Sequence, residues 1–358
     1  MVDHQSNNGL FGIEINSSLG TPLYQAYANN GPTWHIVLPA SLLFIVALFG
    51  IILNSFVVIV TIATPTLRGS ANYLMALICF CEVLHASGHS IFFVIAVTGK
   101  NFVPLLAANL LMIPSIFALC SCMSLMLSAA ADRLFAVAIP HLHKSICIEH
   151  KRTYLGAHTI FCALCGSYGL YFITAFSIQN ANIPVTACIA DILNGDVGIQ
   201  YFIYSAIFNS LTALCYILIW IIIRCKKGGY QVYSSVTVSE ETNTRLLRSL
   251  VCIMVISIGG YIINLSVYQV VFKLIEEQIF SQIILWQLGF IPGILLNLGA
   301  ASNALILYFT SSEYRKTFKH HLKNVAKACG LKGTNTVTMM GPMLHTSTYK
   351  NSKNGNNY

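Results

Sequence analysis

Charge is what this sequence lacks. Of 358 residues, 20 are Lys or Arg and 12 are Asp or Glu, 9% in all, while 56% are hydrophobic. Soluble domains carry roughly 25% charged residues. A chain this poor in charge cannot cover a water-facing surface of its size, which excludes a soluble globular protein and implies an integral membrane protein. The net charge of +8 does not point to nucleic acid as a partner, because the basic residues lie between apolar runs instead of clustering on a domain.

The signatures of chemistry are lacking too. There is no Gly-rich phosphate loop, no Ser/His/Asp set within the apolar runs and no Asp pair of an intramembrane protease. No enzyme, metal or cofactor is expected. Matching halves with broken helices, the mark of many transporters, are not visible. Residues 1–33 are polar and carry no basic start followed by an apolar core, so the first apolar run is expected to act as its own insertion signal. Cysteine is not scarce, but it is in the wrong places for a disulfide framework. Eight of the 12 cysteines fall in apolar runs, where Cys behaves as a small hydrophobe. Cys147, Cys225 and Cys329 fall on the expected cytosolic side, where thiols stay reduced. Only Cys188 belongs to an outer loop, so it is expected to be a free, accessible thiol or to bridge between chains. Cys329 is a palmitoylation candidate.

What is present is a series of charge-poor runs at about 36–62, 72–97, 104–131, 154–178, 199–223, 249–272 and 283–309. Each reaches the roughly 20 residues that a membrane-spanning helix needs. Seven runs put the termini on opposite faces, and Lys and Arg say which is which. With the N-terminus outside, the inner side holds ten basic residues in its loops and eight after residue 310, eighteen of the twenty. Only Lys100 and Lys273 remain outside. By the positive-inside rule the N-terminus is extracellular. The expected organisation is an extracellular tail, 1–33; a bundle, 34–310; an amphipathic juxtamembrane helix, 311–329; and a disordered cytosolic tail, 330–358. Asn16-Ser17-Ser18 in the tail is an N-glycosylation acceptor.

Polar residues inside spans mark packing contacts or function. Asn54 interrupts the first run, Glu82 the second and Asn303 the seventh. They read either as separate interhelical hydrogen bonds or as a buried polar core. Glu82 is the harder to dismiss, since a buried carboxyl must be protonated, paired or cation-bound. His85 and His89 share its helix face. The Glu-x-x-His spacing also occurs in di-iron bundles, but those need a second such pair and further Glu residues, which the other runs lack. The stretch ADRLFAV places Asp132 and Arg133 after 28 uncharged residues, Pro104 to Ala131. Such a helix crosses a bilayer at about 1.5 Å per residue, so the pair falls at one mouth of the membrane. Alone it reads as a charge pair that snorkels to the headgroups.

Together these residues resemble a known family. DRLFAV looks like the Asp-Arg-Tyr region of rhodopsin-like G protein-coupled receptors, with Leu134 in place of Tyr. Asn54 with Val57, Asn72 through Glu82, and Tyr216 match that family's markers in the first, second and fifth spans, with Glu82 replacing an Asp. Tyr314, Arg315 and Phe318 in SSEYRKTF match the opening of the short helix that lies on the inner membrane face. Over residues 36–328 the chain most resembles the nematode serpentine chemoreceptors of the SX class. It departs from the wider pattern at Asn303-Ala304, where Asn-Pro is usual, and in a sixth span without the usual Trp and Pro. It also has no Cys at the outer end of the third span to pair with Cys188.

The resemblance implies an all-α membrane fold of seven transmembrane helices with a short amphipathic eighth helix. It implies a chemosensory G protein-coupled receptor, with a neuropeptide receptor as the alternative and a ligand-gated channel or transporter further off. The implied partners are a heterotrimeric G protein, a small-molecule or peptide ligand and membrane lipid. The implied location is the plasma membrane, in a sensory cilium. Asp132 would hold Arg133 at rest, and on activation Arg133 would turn to Tyr216, Tyr308 or the G protein. A ligand pocket is expected around Met112, Ser115, Ile116 and Leu119 in the third span, whose outer half carries no Asp to hold an ammonium group.

Overall fold

The computed structural model describes residues 21–193, 196–229 and 281–328, with isolated positions between 252 and 274. Asn16, Cys329, the tail 330–358 and most of the run 249–272 lie outside the described residues. Among the described residues six helices are long and apolar enough to cross a membrane: Trp34–Ala63, Ser70–Val97, Ile113–Ala138, Lys151–Gln179, Asp196–Cys225 and Trp286–Thr310. They coincide with six of the seven charge-poor runs.

A short helix α1 (Pro22–Tyr27) is started by Thr21, whose hydroxyl accepts from the Tyr24 N–H at 3.2 Å. It lies within the stretch expected to be a tail. The first span, α2 (Trp34–Ala63), leads through a 3-10 turn at Pro65–Leu67 into the second, α3 (Ser70–Val97). The third span begins as α4 (Leu105–Leu111), breaks at Met112 and continues as α5 (Ile113–Ala138). Pro114 explains the break, because it lacks an N–H and its ring clashes with the carbonyl four residues back. After α5 come α6 (Pro140–Glu149), the fourth span α7 (Lys151–Gln179), a short α8 (Ile189–Ile192) and the fifth span α9 (Asp196–Gly229). The last span is segmented into α10 (Gln282–Leu288), α11 (Phe290–Ala301) and α12 (Asn303–Thr310). Pro292 accounts for the first break in the same way. The second occurs at Ser302 without a proline. There the backbone N–H is shared between the Leu298 and Gly299 carbonyls, and the hydroxyl donates to Gly299 at 2.6 Å.

Packing centres on the third span. Of its most apolar 18-residue stretch 78% is buried, against 44% or less for the other five. Glycines set the approach of its neighbours. A Cβ placed on Gly88 of α3 would fall 2.8 Å from the Ser115 Cβ, and one on Gly169 of α7 would fall 2.7 Å from the Cys120 Cβ. The third span is thus gripped from two sides at bare backbone, as small residues permit between helices in lipid.

The last helix, α13 (Ser312–Ala328), follows the seventh span. Its start is fastened by the residues of the SSEYRKTF motif. Tyr314 is fully buried, and its hydroxyl lies 3.0 Å from the Thr61 hydroxyl of α2. Arg315 donates to the Tyr308 and Phe309 carbonyls at 2.9 and 2.5 Å, satisfying the free C=O groups at the end of α12. Phe318 packs against Phe56, with ring centroids 4.8 Å apart. The chain from Lys319 onward forms a second unit.

At the end of the bundle that carries Trp34, the loop between the fourth and fifth spans is bound to the third. Two short strands, β1 (Val103–Pro104) and β2 (Pro184–Val185), pair antiparallel with Val103 opposite Val185. The first N–H groups of α4 donate to this loop, Leu105 to the Ile183 carbonyl and Leu106 to that of Ala181, at 2.8 and 3.2 Å. Farther along, Asp191 accepts from the Thr186 hydroxyl at 2.5 Å and from the Trp286 indole of α10 at 3.0 Å. Burial pushes the Asp191 carboxyl up from the ordinary carboxylate range, and these hydrogen bonds oppose that.

Cys188 forms no disulfide with any described residue of its chain, and it is not accessible. It is 3% exposed, in an apolar cluster with Ile36, Phe92 and Phe290. Burial also pushes its thiol well above the usual range. The reason is that the loop folds down onto the first, second and last spans, carrying Cys188 inward. An impermeant maleimide on intact cells is therefore expected to leave Cys188 unlabelled until the protein is denatured. Equal labelling before and after denaturation would contradict this packing.

Candidate functional site

The charged pair at the end of the third span is the centre of a buried polar cluster. Asp132 is 0% exposed and Arg133 8%. The Arg133 Nε donates to Asp132 Oδ2 at 2.9 Å, and a terminal nitrogen of its guanidinium makes a second, shorter contact with the same oxygen. That nitrogen also donates to the Ser70 hydroxyl at 3.1 Å, and Ser70 donates to Asp132 Oδ2 at 3.3 Å. The other carboxylate oxygen, Oδ1, accepts from the Tyr154 hydroxyl at 2.9 Å and lies 3.0 Å from His143 Nε2. Ser70 begins α3, His143 lies on α6 and Tyr154 lies in the first turn of α7. Asp132 therefore ties the start of the second span, the connecting helix and the start of the fourth span to the end of the third. This is a paired and hydrogen-bonded buried charge, not a solvent-facing helix end.

Arg133 is therefore held by Asp132 and Ser70 and bonds to neither tyrosine expected to receive it. The Tyr216 hydroxyl is buried and has no hydrogen-bond partner among the described residues. Tyr308 stacks its ring on Phe318, with centroids 6.4 Å apart. An unpartnered buried hydroxyl is costly, which leaves Tyr216 ready to accept a donor.

A second polar group lies deeper in the bundle. Asn303 donates to Asn54 Oδ1 at 3.4 Å, and Asn54 donates to the Ala300 carbonyl at 3.2 Å, just before the break at Ser302. Glu82 accepts from Cys122 of the third span at 3.2 Å. His89 lies 3.2 Å from Asn297 Oδ1, and the Ser115 hydroxyl donates to the His85 carbonyl at 2.7 Å. Between them is a cavity of about 30 Å³ whose walls include Glu82, His85, Leu119, Cys122 and Asn297. That volume suits a water-sized guest.

The model of the family described as serpentine type 7TM GPCR chemoreceptor Srsx matches residues 47–322. The chain belongs to this family. No curated protein matches it. The protein is thus a multi-pass chemoreceptor of the G protein-coupled class, from a receptor family and not an enzyme family.

Within this receptor the sequence-based site residues fall into distinct places. Asp132 and Arg133 are ion-paired, and among the described residues neither bonds to Tyr216. Asn54 and Asn303 are joined to each other, while Glu82 bonds to Cys122. Of the four residues expected to line a ligand pocket, Leu119 lines this cavity. Met112, Ser115 and Ile116 are buried in side-chain packing, the first two against the bare face of Gly88. The break at Met112 sets that end of the helix against the second span. Sequence reasoning missed Ser70, His143 and Tyr154. The one signal that could have led to them is that a buried carboxylate at Asp132 requires donors beyond its neighbouring Arg.

Proposed function

We propose that this chemoreceptor lies in the plasma membrane of a sensory cilium with its N-terminus outside. It binds a small extracellular chemical between the outer halves of the third, fifth, sixth and seventh spans, and activates a heterotrimeric G protein through Arg133. The carrying observation is the buried Asp132–Arg133 pair, together with a buried Tyr216 hydroxyl that has no hydrogen-bond partner among the described residues. Holding Arg133 to Asp132 and Ser70 is a resting arrangement. Releasing it to Tyr216 or to the G protein is the active one, and a guanidinium suits the exchange because it stays charged and donates in several directions. Asn54, Glu82 and Asn303 form the polar core that the helices rearrange around, and α13 lies along the inner membrane face with Cys329 available for palmitoylation. A ligand screen in cells expressing a promiscuous G protein tests the reading. Responses are expected from the wild type and not from Arg133→Ala at equal surface amount. A ligand-evoked current that persists without G protein would overturn it.

The orientation has its own test. A glycosidase is expected to shift the wild-type band on a gel and to leave Asn16→Gln unchanged. A glycan acquired instead by an acceptor tag placed after residue 330 would reverse the topology.

A further inference from the structure

The proposed activation moves Arg133 away from Asp132, and the surroundings of Asp132 determine what that movement requires. Asp132 is fully buried and, at rest, Arg133 is the one permanent cation bonded to it among the described residues. Once Arg133 leaves, Ser70 and Tyr154 still donate hydrogen bonds, but neither carries charge. A buried carboxylate stripped of its cation is strongly unfavourable. The remaining bonded group is His143, 3.0 Å from Oδ1, and imidazole is a side chain that can become a cation near neutral pH.

We infer that His143 takes up a proton as Arg133 departs, and is the positioning residue that keeps Asp132 ionised in the G protein-coupled form. The inference rests on the Arg133 reading of the previous subsection. The proton comes from the aqueous phase at that face. It ends on the imidazole, which then presents a charged Nε2–H to the carboxylate. The timing follows from the neighbours. Against the ring lie Asp132 and Phe135 of the third span and Tyr154 of the fourth, with His158 edge-on to Tyr154, while Arg133 and Ser70 of the second span bond to the same carboxylate. From its own helix, Cys147 Sγ is 3.6 Å from Nε2 and 3.9 Å from Nδ1. Lys151 is turned to the Arg68 carbonyl. Asp132 is the one anion in this set. With Arg133 in place its charge is already matched, and a second cation is in excess. With Arg133 gone, a protonated His143 restores the match. G protein binding then takes up a proton, so acid on this face favours the coupled form by linkage.

The full-length receptor in lipid nanodiscs is titrated with nucleotide-free heterotrimeric G protein between about pH 6 and 8. Wild type is expected to bind up to about tenfold more tightly at the acid end, relative to His143→Gln, whose amide can donate but cannot take a charge. His143→Lys, a permanent cation, is expected to bind tightly across the range with a flat profile. Parallel profiles for wild type and His143→Gln overturn the inference. So does a slope that survives in His143→Gln and disappears in Asp132→Asn, which puts the proton on Asp132 itself. Arg133→Ala separates the two levels. If it binds like wild type, or if wild type does not bind, the Arg133 reading fails and this inference with it. If it loses binding while His143→Gln follows the wild-type profile, this inference alone fails.

Discussion

Arg133→Ala is expected to retain ligand binding and to lose at least about tenfold of receptor-dependent nucleotide exchange, equivalent to about 1.4 kcal/mol of coupling. The loss is local to the Arg133 end, because among the described residues the guanidinium bonds to Asp132 and Ser70 there. Removing the Arg alone also leaves Asp132 buried without its cation, a destabilisation of about 3–5 kcal/mol in comparable pairs. Exchange must therefore be compared at equal surface amounts. A second variant guards against misfolding. Asp132→Asn with Arg133→Gln removes both charges while keeping both side chains, so the folded receptor should be recovered and the coupling should not. Asp132→Asn alone releases Arg133 and should raise basal exchange. Unchanged exchange in Arg133→Ala at matched surface amount would sink the activation reading.

The other large effect is structural. Gly88→Val and Gly169→Val should each lower the amount of folded receptor severalfold, through overpacking of about 1–3 kcal/mol or more. At both sites the obstructing atom is a Cβ on the third span, 2.8 Å away at Ser115 and 2.7 Å at Cys120. A Cβ cannot be moved by changing a rotamer, so the helices themselves must separate. Gly156→Val provides the control, since no described residue lies within 4 Å of a Cβ there. Surface counts and thermal unfolding in detergent check the comparison. Equal stability of all three variants would refute the gripped geometry of the third span.

Length and hydropathy made the spans legible, because burying a helix in lipid leaves a run of about 20 apolar residues whatever it packs against. The charged pair and the SSEYRKTF motif were legible for a similar reason: charge and a buried Tyr are unusual enough to stand out in such a chain. The partners of Asp132 were not. Ser70, His143 and Tyr154 lie 62, 11 and 22 residues away from it. Their meeting depends on the rotation and approach of separate helices, which no local pattern encodes. The packing of Met112 was hidden on the same ground, since only the approach of Gly88 reveals it. The break at Ser302 was hidden differently, since proline is the signal that sequence reading knows and here a Ser side chain takes its place.

The loop over the Trp34 end is held by the β1–β2 pair, by N–H donors of α4 and by Asp191 clasping Trp286, while Cys188 remains a thiol. A fastening of that kind does not depend on oxidation. Reductants such as dithiothreitol should leave this region assembled, and production of the receptor should not require disulfide isomerases or an oxidising medium. The same bonds can open and reclose on the timescale of loop motion, where a covalent staple would keep the loop permanently tethered to the third span.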